Sequence, residues 1–284
     1  MPKFLLWLHD HPRATWAILF VYAALVTFPH EQVQGIVGSV AKSMGRANLY
    51  RLAFWIGIVC AAILTAVFSA ALRRHQFPKL IASYWAATLL LIFATWKILT
   101  VNNTELVHYP QYFVPGAILI ALTLSPLETL AWITLVASFD EGYQYAVLHA
   151  GWGIPFDFND IFMDFLGGAL GVVFALAFLP CASAKPVSLF RKPGVALLSL
   201  TVATCAILLA TGKMLLYKDP ENHTYWMALS RLKAQSFWFF DETWGPKKFH
   251  TLTPVEGPVL LLAALAFYAV LDRKLAISPP AAQP

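Results

Sequence analysis

The sequence predicts an all-α fold, a polytopic transmembrane helical bundle of about eight helices. Three observations support this prediction. Apolar residues make up 59% of the chain and charged residues only 12%, about half the ~25% that is usual in soluble domains. Apolar segments close to the ~20 residues needed to cross a bilayer recur along the whole chain. Basic residues gather at the segment ends, as expected for topology signals and contacts with lipid headgroups.

The predicted helices follow one another through mostly short connections. The first apolar segment is interpreted as a retained helix, because no small-residue cleavage signature accompanies it. A turn is predicted at Ser125-Pro126, because the residue before a proline disfavours helix. The predicted spans cover residues 14–29, 52–72, 80–101, 104–124, 127–148, 158–180, 194–216 and 255–272.

Charge counts give an orientation and exclude some partners. An even number of spans puts both termini on one side, and that side carries ten basic residues in short segments against eight on the other. The positive-inside rule therefore favours cytoplasmic termini. Three cysteines without a CxxC pair predict neither a disulfide framework nor a thiolate metal site. No basic motif of a nucleic-acid-binding module is present, so membrane lipids are the expected partners and nucleic acid is not.

The chain divides into three parts: N-terminal helices at 1–101, a core of three helices at 102–180, and C-terminal helices at 181–284. The last part contains an aromatic-rich extramembrane loop, 217–254. Within it, roughly helical spacing relates Tyr225, Leu229, Leu232 and Phe239. Two interpretations stay open, an interfacial helix with its aromatic side chains at headgroup level, and a lid or protein-docking surface.

The core is unusual in its charge. From Ile98 to Ala184 the chain has no Lys and no Arg, yet it holds seven of the fifteen acidic residues. A charged side chain at the centre of a membrane helix costs about 2.5–3.5 kcal/mol on insertion scales, so acids near membrane depth predict a functional site. Glu128, close to the Ser125-Pro126 turn, is expected on the opposite membrane face. The other six acids gather at three helix ends.

These helix ends are the start of the fourth predicted helix, the end of the fifth and the start of the sixth. Because successive spans alternate in direction, the three ends lie on one membrane face and can form a single site. Each combines acids with polar side chains at same-face helical spacing. The three groups are Glu105, His108 and Tyr112; Asp140, Glu141 and Gln144; and Asp157, Asp160 and Asp164. Farther along the sixth helix, Gly167 and Gly171 form a GxxxG pair that allows close helix approach.

Crowded carboxylates at low dielectric cannot all ionise, and this suits acid–base chemistry or a proton relay. We expect Tyr112, Gln144 and Asp157 to bind or orient the substrate. Asp157 could instead cap a helix, and His149 could simply be exposed to solvent. The candidate catalytic residues are Glu105, His108, Asp140, Glu141, Asp160 and Asp164.

A metal site is an alternative for the same residues. The Glu-x-x-His pattern of Glu105 and His108 also occurs in di-iron carboxylate proteins, where two such motifs are needed. This chain has one, and Glu141 and Asp160 would have to complete the set. The sequence itself identifies no cofactor.

The ordered motifs Glu105-x-x-His108-x-x-x-Tyr112, Asp140-Glu141-x-x-Gln144 and Asp160-x-x-x-Asp164-x-x-Gly167 resemble those of the VanZ-like family of bacterial membrane proteins. The resemblance covers about residues 100–175. It implies an integral inner-membrane protein, and the founding member of the family is linked to resistance to the glycopeptide teicoplanin. Together with the orientation, it leads us to expect an exoplasmic site that binds or processes a cell-envelope or lipid-linked substrate.

The chain also departs from that family. The loop at 150–155 lacks the Arg that many members carry, Asp164 stands where many have Asn, and Thr104-Glu105 stands where many have Asp-Lys. Whether the protein is an enzyme is left open. Two other functions remain as alternatives, a non-catalytic subunit or assembly factor of a membrane complex and a proton-coupled permease.

Overall fold

The computed structural model describes residues 2–150, 155–183, 191–231, 233, 236–240 and 247–277. Over these residues the chain folds mainly into α-helices, which confirms the all-α prediction. The helices are α1 Pro2–Asp10, α2 Pro12–Thr27, α3 His30–Met44, α4 Arg46–Leu72, α5 Pro78–Ile98, α6 His108–Thr123, α7 Pro126–Tyr143, α8 Phe158–Leu176, α9 Pro193–Ala210 and α10 Glu256–Lys274. A 3₁₀ turn, Asn103–Val107, leads into α6, and a π-helical segment, Gln144–Leu148, extends α7.

Several helices are suited to a membrane. Among the described residues, α4, α5, α8, α9 and the continuous segment 103–123 are long and apolar enough to cross one. Helices α2 and α3 meet that standard only together, and they are bent by 55° at the break between them. The chain thus has the helices of a multi-pass membrane protein, with five candidate spans, or six if the bent pair forms one.

Every predicted span coincides with a helix, namely α2 and α4 to α10, but two helices were not predicted. These are the short α1 and the amphipathic α3, which has no buried residue. The seventh predicted span is too long, because α9 ends at Ala210 and Met214–Tyr217 forms a strand instead. The turn at Ser125-Pro126 is present. Leu124 ends α6 in the left-handed conformation at φ 49°, and the Ser125 side chain caps α7.

Helix α8 lies at the centre of the bundle. Of its residues, all of which the structure describes, every one except Asp160 is buried. A helix that is apolar on all sides is stable in this way only when other helices surround it. Helices α6, α7, α5 and α10 pack around α8. Helices α4 and α9, by contrast, are almost wholly exposed, as expected for helices that face lipid.

The contact between α6 and α8 depends on glycine. A Cβ atom at Gly167 would lie 2.5 Å from the backbone oxygen of Tyr109, and one at Gly171 would collide with the backbone oxygen of Phe113. Gly116 of α6 faces Gly168 of α8 in the same way. The predicted GxxxG pair therefore does bring two backbones together.

In the described ranges, four short strands form two ribbons. β1 Cys181–Ser183 pairs antiparallel with β4 Leu275–Ile277, and β2 Met214–Tyr217 pairs parallel with β3 Met227–Ser230. The expected interfacial helix around Leu229 is therefore wrong, because β3 occupies that position. The Leu229 carbonyl accepts a hydrogen bond of 2.9 Å from the Phe156 amide, which holds β3 against the segment ahead of α8. Residues 151–154, 184–190, 232, 234–235, 241–246 and 278–284, within the predicted connections and C-terminal part, lie outside the described residues.

Candidate functional site

His108 lies at the centre of the candidate site. Its Nδ1–H donates to Asp164 Oδ1 at 2.9 Å, and its Nε2 lies 3.6 Å from Asp160 Oδ2. Asp164 is fully buried, whereas the Asp160 side chain is 22% exposed. Because α6 begins at His108 and the two acids lie one turn apart on α8, one imidazole bridges an inner and an outer carboxylate. We call the nine side chains of the three helix ends the polar cluster: Glu105, His108, Tyr112, Asp140, Glu141, Gln144, Asp157, Asp160 and Asp164.

Glu105 joins the polar cluster from the 3₁₀ turn ahead of α6. Its carboxylate accepts a hydrogen bond of 2.7 Å from the Val101 amide and a longer one, 3.4 Å, from the Asn102 side chain. It also interacts electrostatically with His108 and Asp160. Since the 3₁₀ turn feeds directly into His108, the backbone of this turn fixes Glu105 beside the imidazole.

The end of α7 supplies the second group. Asp140 and Glu141 are both buried, at 2% and 3% exposure. The Gln144 amide donates to Glu141 Oε1 at 2.9 Å and to Asp140 Oδ2 at 3.4 Å, so it orients both carboxylates as expected. The π-helical segment begins at Gln144, whose carbonyl accepts from the His149 amide at 2.8 Å. Such local widening of a helix is frequent at functional sites.

Asp157 caps α8, so its structural role is clear. Its carboxylate accepts hydrogen bonds from the backbone amides of Asn159, at 2.9 Å, and Asp160, at 3.4 Å. Burial and the nearby Asp160 carboxylate raise the pKa of Asp157 to about 7, against the opposing effect of these hydrogen bonds. Asp157 thus positions the first turn of α8 at the rim of the polar cluster.

Within the described part of the chain, three buried oxygen atoms of the polar cluster make no hydrogen bond of good geometry: the Tyr112 hydroxyl, Asp140 Oδ1 and Asp164 Oδ2. Tyr112 is 2% exposed, and its hydroxyl interacts electrostatically with Asp164, Asp140 and Glu141. Leaving a buried polar group unsatisfied costs about 1–3 kcal/mol. Several unsatisfied oxygens facing one interior are therefore the feature expected of a site that a ligand or water completes.

Helix α2 and the bend after it contribute residues to the site that were not predicted from the sequence. Thr27, which is 2% exposed, lies beside Asp140, and His30 follows at the bend into α3. The His30 ring meets the His149 ring edge-on, with centroids 6.4 Å apart. His149 was expected to be solvated, but it is only 7% exposed, because α3 and the π-helical segment enclose it. No spacing in the sequence relates residues near 30 to residues near 140, so only the tertiary fold could show these contacts.

Two further residues near the polar cluster, Asn159 and Arg231, were also not predicted from the sequence. Asn159 donates to the carbonyls of Leu99, at 3.0 Å, and His250, at 2.8 Å, and accepts from the Leu252 amide at 2.8 Å. It therefore ties the start of α8 to the end of α5 and to the segment before α10.

Arg231 directly follows β3, and its side chain contacts the end of α7. Its guanidinium donates to the carbonyls of Tyr145, His149 and Ala150 at 2.8–3.1 Å and lies 4.4 Å from the Tyr145 ring centroid. A cation at the carboxyl end of a helix is favoured by the helix dipole. Arg231 therefore binds backbone oxygens at the end of α7 and at Ala150.

Glu128 lies away from the polar cluster, as expected, because it begins α7 whereas the cluster lies at the other end of that helix. Its carboxylate accepts from the Gly194 and Val195 amides at 2.6 and 3.2 Å and from Trp132 Nε1 at 3.0 Å. These contacts cap the start of α9, so Glu128 has a structural role.

The metal alternative finds no geometric support. Within the ranges that the structure describes, no group of three or more His, Cys, Asp or Glu side chains has the geometry to hold a metal ion. Glu105, His108, Glu141 and Asp160 are therefore not assembled as a four-ligand metal centre.

No protein-family model, curated protein or solved structure matches this chain. The resemblance to the VanZ-like family stays a prediction from the ordered motifs. The argument for function therefore starts from the geometry of the polar cluster.

Proposed function

We propose that this chain is an integral protein of the bacterial inner membrane, of VanZ-like type, whose polar cluster binds or processes a cell-envelope or lipid-linked substrate. In this proposal eight helices span the membrane, namely α2 and α4 to α10. Both termini are cytoplasmic, and the polar cluster faces the exoplasmic side.

The observation that carries this proposal is the bridge from Asp160 through His108 to Asp164. Asp160 is partly exposed, whereas Asp164 is fully buried, so the imidazole connects the outside of the bundle to its interior. An imidazole held between two carboxylates can take up a proton at one nitrogen and release one at the other. His108 with one of these acids is the proposed acid–base pair, and Gln144 orients the neighbouring carboxylates.

The test uses charge-neutral substitutions to distinguish a functional role of the acids from a role in helix packing. We expect Asp160→Asn and Glu141→Gln to abolish the function while the amount of folded protein stays unchanged. Function is measured as susceptibility of a bacterial host expressing the chain to teicoplanin and other envelope-directed inhibitors, and folded protein by size-exclusion chromatography. Glu221→Gln, on an exposed loop, is the matched control and should behave as wild type.

Two results would contradict the proposal. If both variants retain the full phenotype, the polar cluster does no chemistry and binds no essential ligand. If the variants instead lose folded protein, the acids are needed to hold the helices together.

One observation favours a second candidate, a subunit or assembly factor. Four consecutive aromatic residues of the extramembrane loop, Phe237 to Phe240, are each about half exposed, at 47–54%, and Trp226 is 74% exposed. An exposed aromatic patch is typical of a protein or membrane contact. Stoichiometric cross-linking of one partner protein at Trp238, lost in a Phe240→Ser variant, would support this function. Cross-linking to lipid alone would contradict it.

A further inference from the structure

An apolar groove runs along α2, between α6 and α7, and ends at the polar cluster. Val26 and Tyr112 line its near end, and Trp16 and Trp132 line its far end. From Trp16 to Val26, α2 advances by ten residues, or about 15 Å at ~1.5 Å per residue, which is half of the ~30 Å hydrocarbon core of a bilayer. The groove therefore has the length of a chain that crosses one leaflet.

The width of the groove restricts what it can hold. Its volume is about 60 Å³. A water-sized group needs about 10–15 Å³ of such volume, so the groove has room for about four to six methylene-sized groups. A chain as long as the groove has more carbon atoms than this, so such a chain lies with one side in the groove and the other side facing out of the bundle. A ring system is too wide for this volume.

Tyr112 joins the groove to the polar cluster. Its ring lines the groove, while its hydroxyl faces the carboxylates of Asp164, Asp140 and Glu141. Tyr22 of α2 lines the same groove, and its hydroxyl donates to the Gln111 carbonyl at 2.6 Å. A molecule bound here thus passes from an apolar slot to a group of acids over the length of one tyrosine side chain.

The charges of the polar cluster restrict which head group a bound molecule can have. The cluster contains six acids and one histidine, and two of its carboxylates have an unpartnered oxygen. The basic groups described nearby are already engaged. Arg231 binds the three carbonyls at the end of α7, and Lys247 donates to the Trp96 carbonyl and the Thr100 hydroxyl at 2.6 and 2.8 Å. An anionic head would meet like charges, whereas a cationic head with several hydrogen-bond donors would complete the unpartnered acceptors.

We propose that the groove and the polar cluster together bind a single-chain amphiphile with a primary ammonium head. The ammonium lies among Asp140, Glu141 and Asp164, and the chain runs past Tyr112 towards Trp16 and Trp132. This inference rests on the proposed function, and it names the substrate class. An envelope molecule bound here presents an amine to the acids, and any phosphate it carries lies outside the polar cluster.

The test uses the full chain in phosphatidylcholine nanodiscs and three probes with the same chain. These are ω-bromoundecylammonium, ω-bromoundecanol and ω-bromoundecyl phosphate. Bromine at the chain end quenches tryptophan fluorescence on contact, so binding in the groove is measured as saturable quenching that the Trp132→Phe variant reduces. Hydrogen bonds to charged groups contribute about 1.5–3 kcal/mol, so the ammonium probe should bind about tenfold to a hundredfold more tightly than the alcohol.

Matched variants separate the groove from the head-group site. Ala23→Phe fills the groove and should weaken the binding of the ammonium and the alcohol alike. Val21→Phe, at a position on α2 that is 55% exposed, should leave both unchanged. Asp140→Asn and Asp164→Asn should remove most of the preference for ammonium while the alcohol still binds.

Three outcomes would overturn the inference: equal affinity for all three probes, tighter binding of the phosphate, or identical quenching in Ala23→Phe and Val21→Phe. This failure is distinguishable from failure of the proposed function. If Asp160→Asn and Glu141→Gln abolish the envelope phenotype but the probes show no preference, the substrate class is wrong and the proposed function stands.

Discussion

Gly167 offers the sharpest test of the packing that positions the site. Its residue type matters because α8 passes directly over the start of α6 at this point. A Cβ atom at Gly167 would lie 2.5 Å from the Tyr109 carbonyl oxygen and 3.1 Å from that of His108. Both obstacles are backbone atoms, which cannot rotate away. The Gly167→Ala variant must therefore push the two helices apart.

The size of this displacement follows from the contact distances. Ordinary contacts of a Cβ atom begin at 3.4 Å, so α6 and α8 must separate by about 0.9 Å, the difference from 2.5 Å. The His108–Asp164 hydrogen bond joins the same two helices at 2.9 Å, and a stretch of that size takes it beyond hydrogen-bonding distance. Overpacking costs about 1–3 kcal/mol, and the gain from replacing Gly by Ala in a helix is about 0.5–1 kcal/mol. If overpacking costs about 3 kcal/mol and the helix gains about 1 kcal/mol, the free energy of unfolding falls by about 2 kcal/mol.

The assay is the free energy of unfolding of the purified full chain in detergent, followed by helical circular dichroism. Gly57→Ala is the matched control, because its new methyl group would meet only the flexible end of Leu106, at 3.7 Å, within the exposed α4. We expect the control to be as stable as wild type or slightly more stable. Equal stability of Gly167→Ala and Gly57→Ala would refute the close contact between α6 and α8.

Three other substitutions probe the remaining parts of the site. Burial and the Asp160 carboxylate raise the pKa of Asp157 from 3.8 to about 7. The folded state therefore holds the Asp157 proton more tightly than the unfolded state does, and the free energy of unfolding should fall as the pH rises between these two values. The Asp157→Asn variant keeps the helix cap, and its unfolding temperature should vary less across that pH range than that of wild type; an unchanged pH dependence would contradict this. Asn159→Ala removes three buried hydrogen bonds, worth about 1 kcal/mol each, and should cost about 3 kcal/mol of unfolding free energy. No loss of stability in Asn159→Ala would contradict the network. Arg231 reaches the three carbonyls with two separate nitrogens, whereas Arg231→Lys offers only one, so amide hydrogen exchange over 144–150 should become faster while exchange over α8 stays slow. Unchanged exchange over 144–150 would show that Arg231 does not hold that segment.

The helices could be predicted because each is a long apolar run that ends at a proline, a glycine or a polar residue. The same logic placed three helix ends on one membrane face, and the structure does bring His108, Asp160 and Asp164 together. Gln144 was expected to orient carboxylates from its spacing of three and four residues, and it bonds to both. These successes concern neighbours on one helix, or the ends of three successive helices whose alternating direction fixes the membrane face that they share.

The errors concern short elements and distant partners. Helix α3 mixes small, polar and apolar residues and buries none of them, so its composition resembles a loop. Strand β3 has only four residues, too few for a periodic pattern, and it forms because β2 and Phe156 supply hydrogen-bond partners. The position of Arg231 at the end of α7 depends on that strand. Such contacts join residues that are far apart in the chain, and spacing alone contains no information about them.

The complete burial of α8 also has a consequence for how the protein is made. Its Asp160 and Asp164 are costly in contact with lipid, yet α8 is synthesised before α10, which packs against it in the finished fold. Helices α6 and α7, joined by a two-residue turn, are synthesised first and carry both His108 and the surface, including Gly116, against which the glycines of α8 pack. Chains generally fold from the N-terminus during synthesis, so this hairpin is available as a template when α8 enters the membrane. The order of elements along the chain thus spares the two acids a long exposure to hydrocarbon during biogenesis.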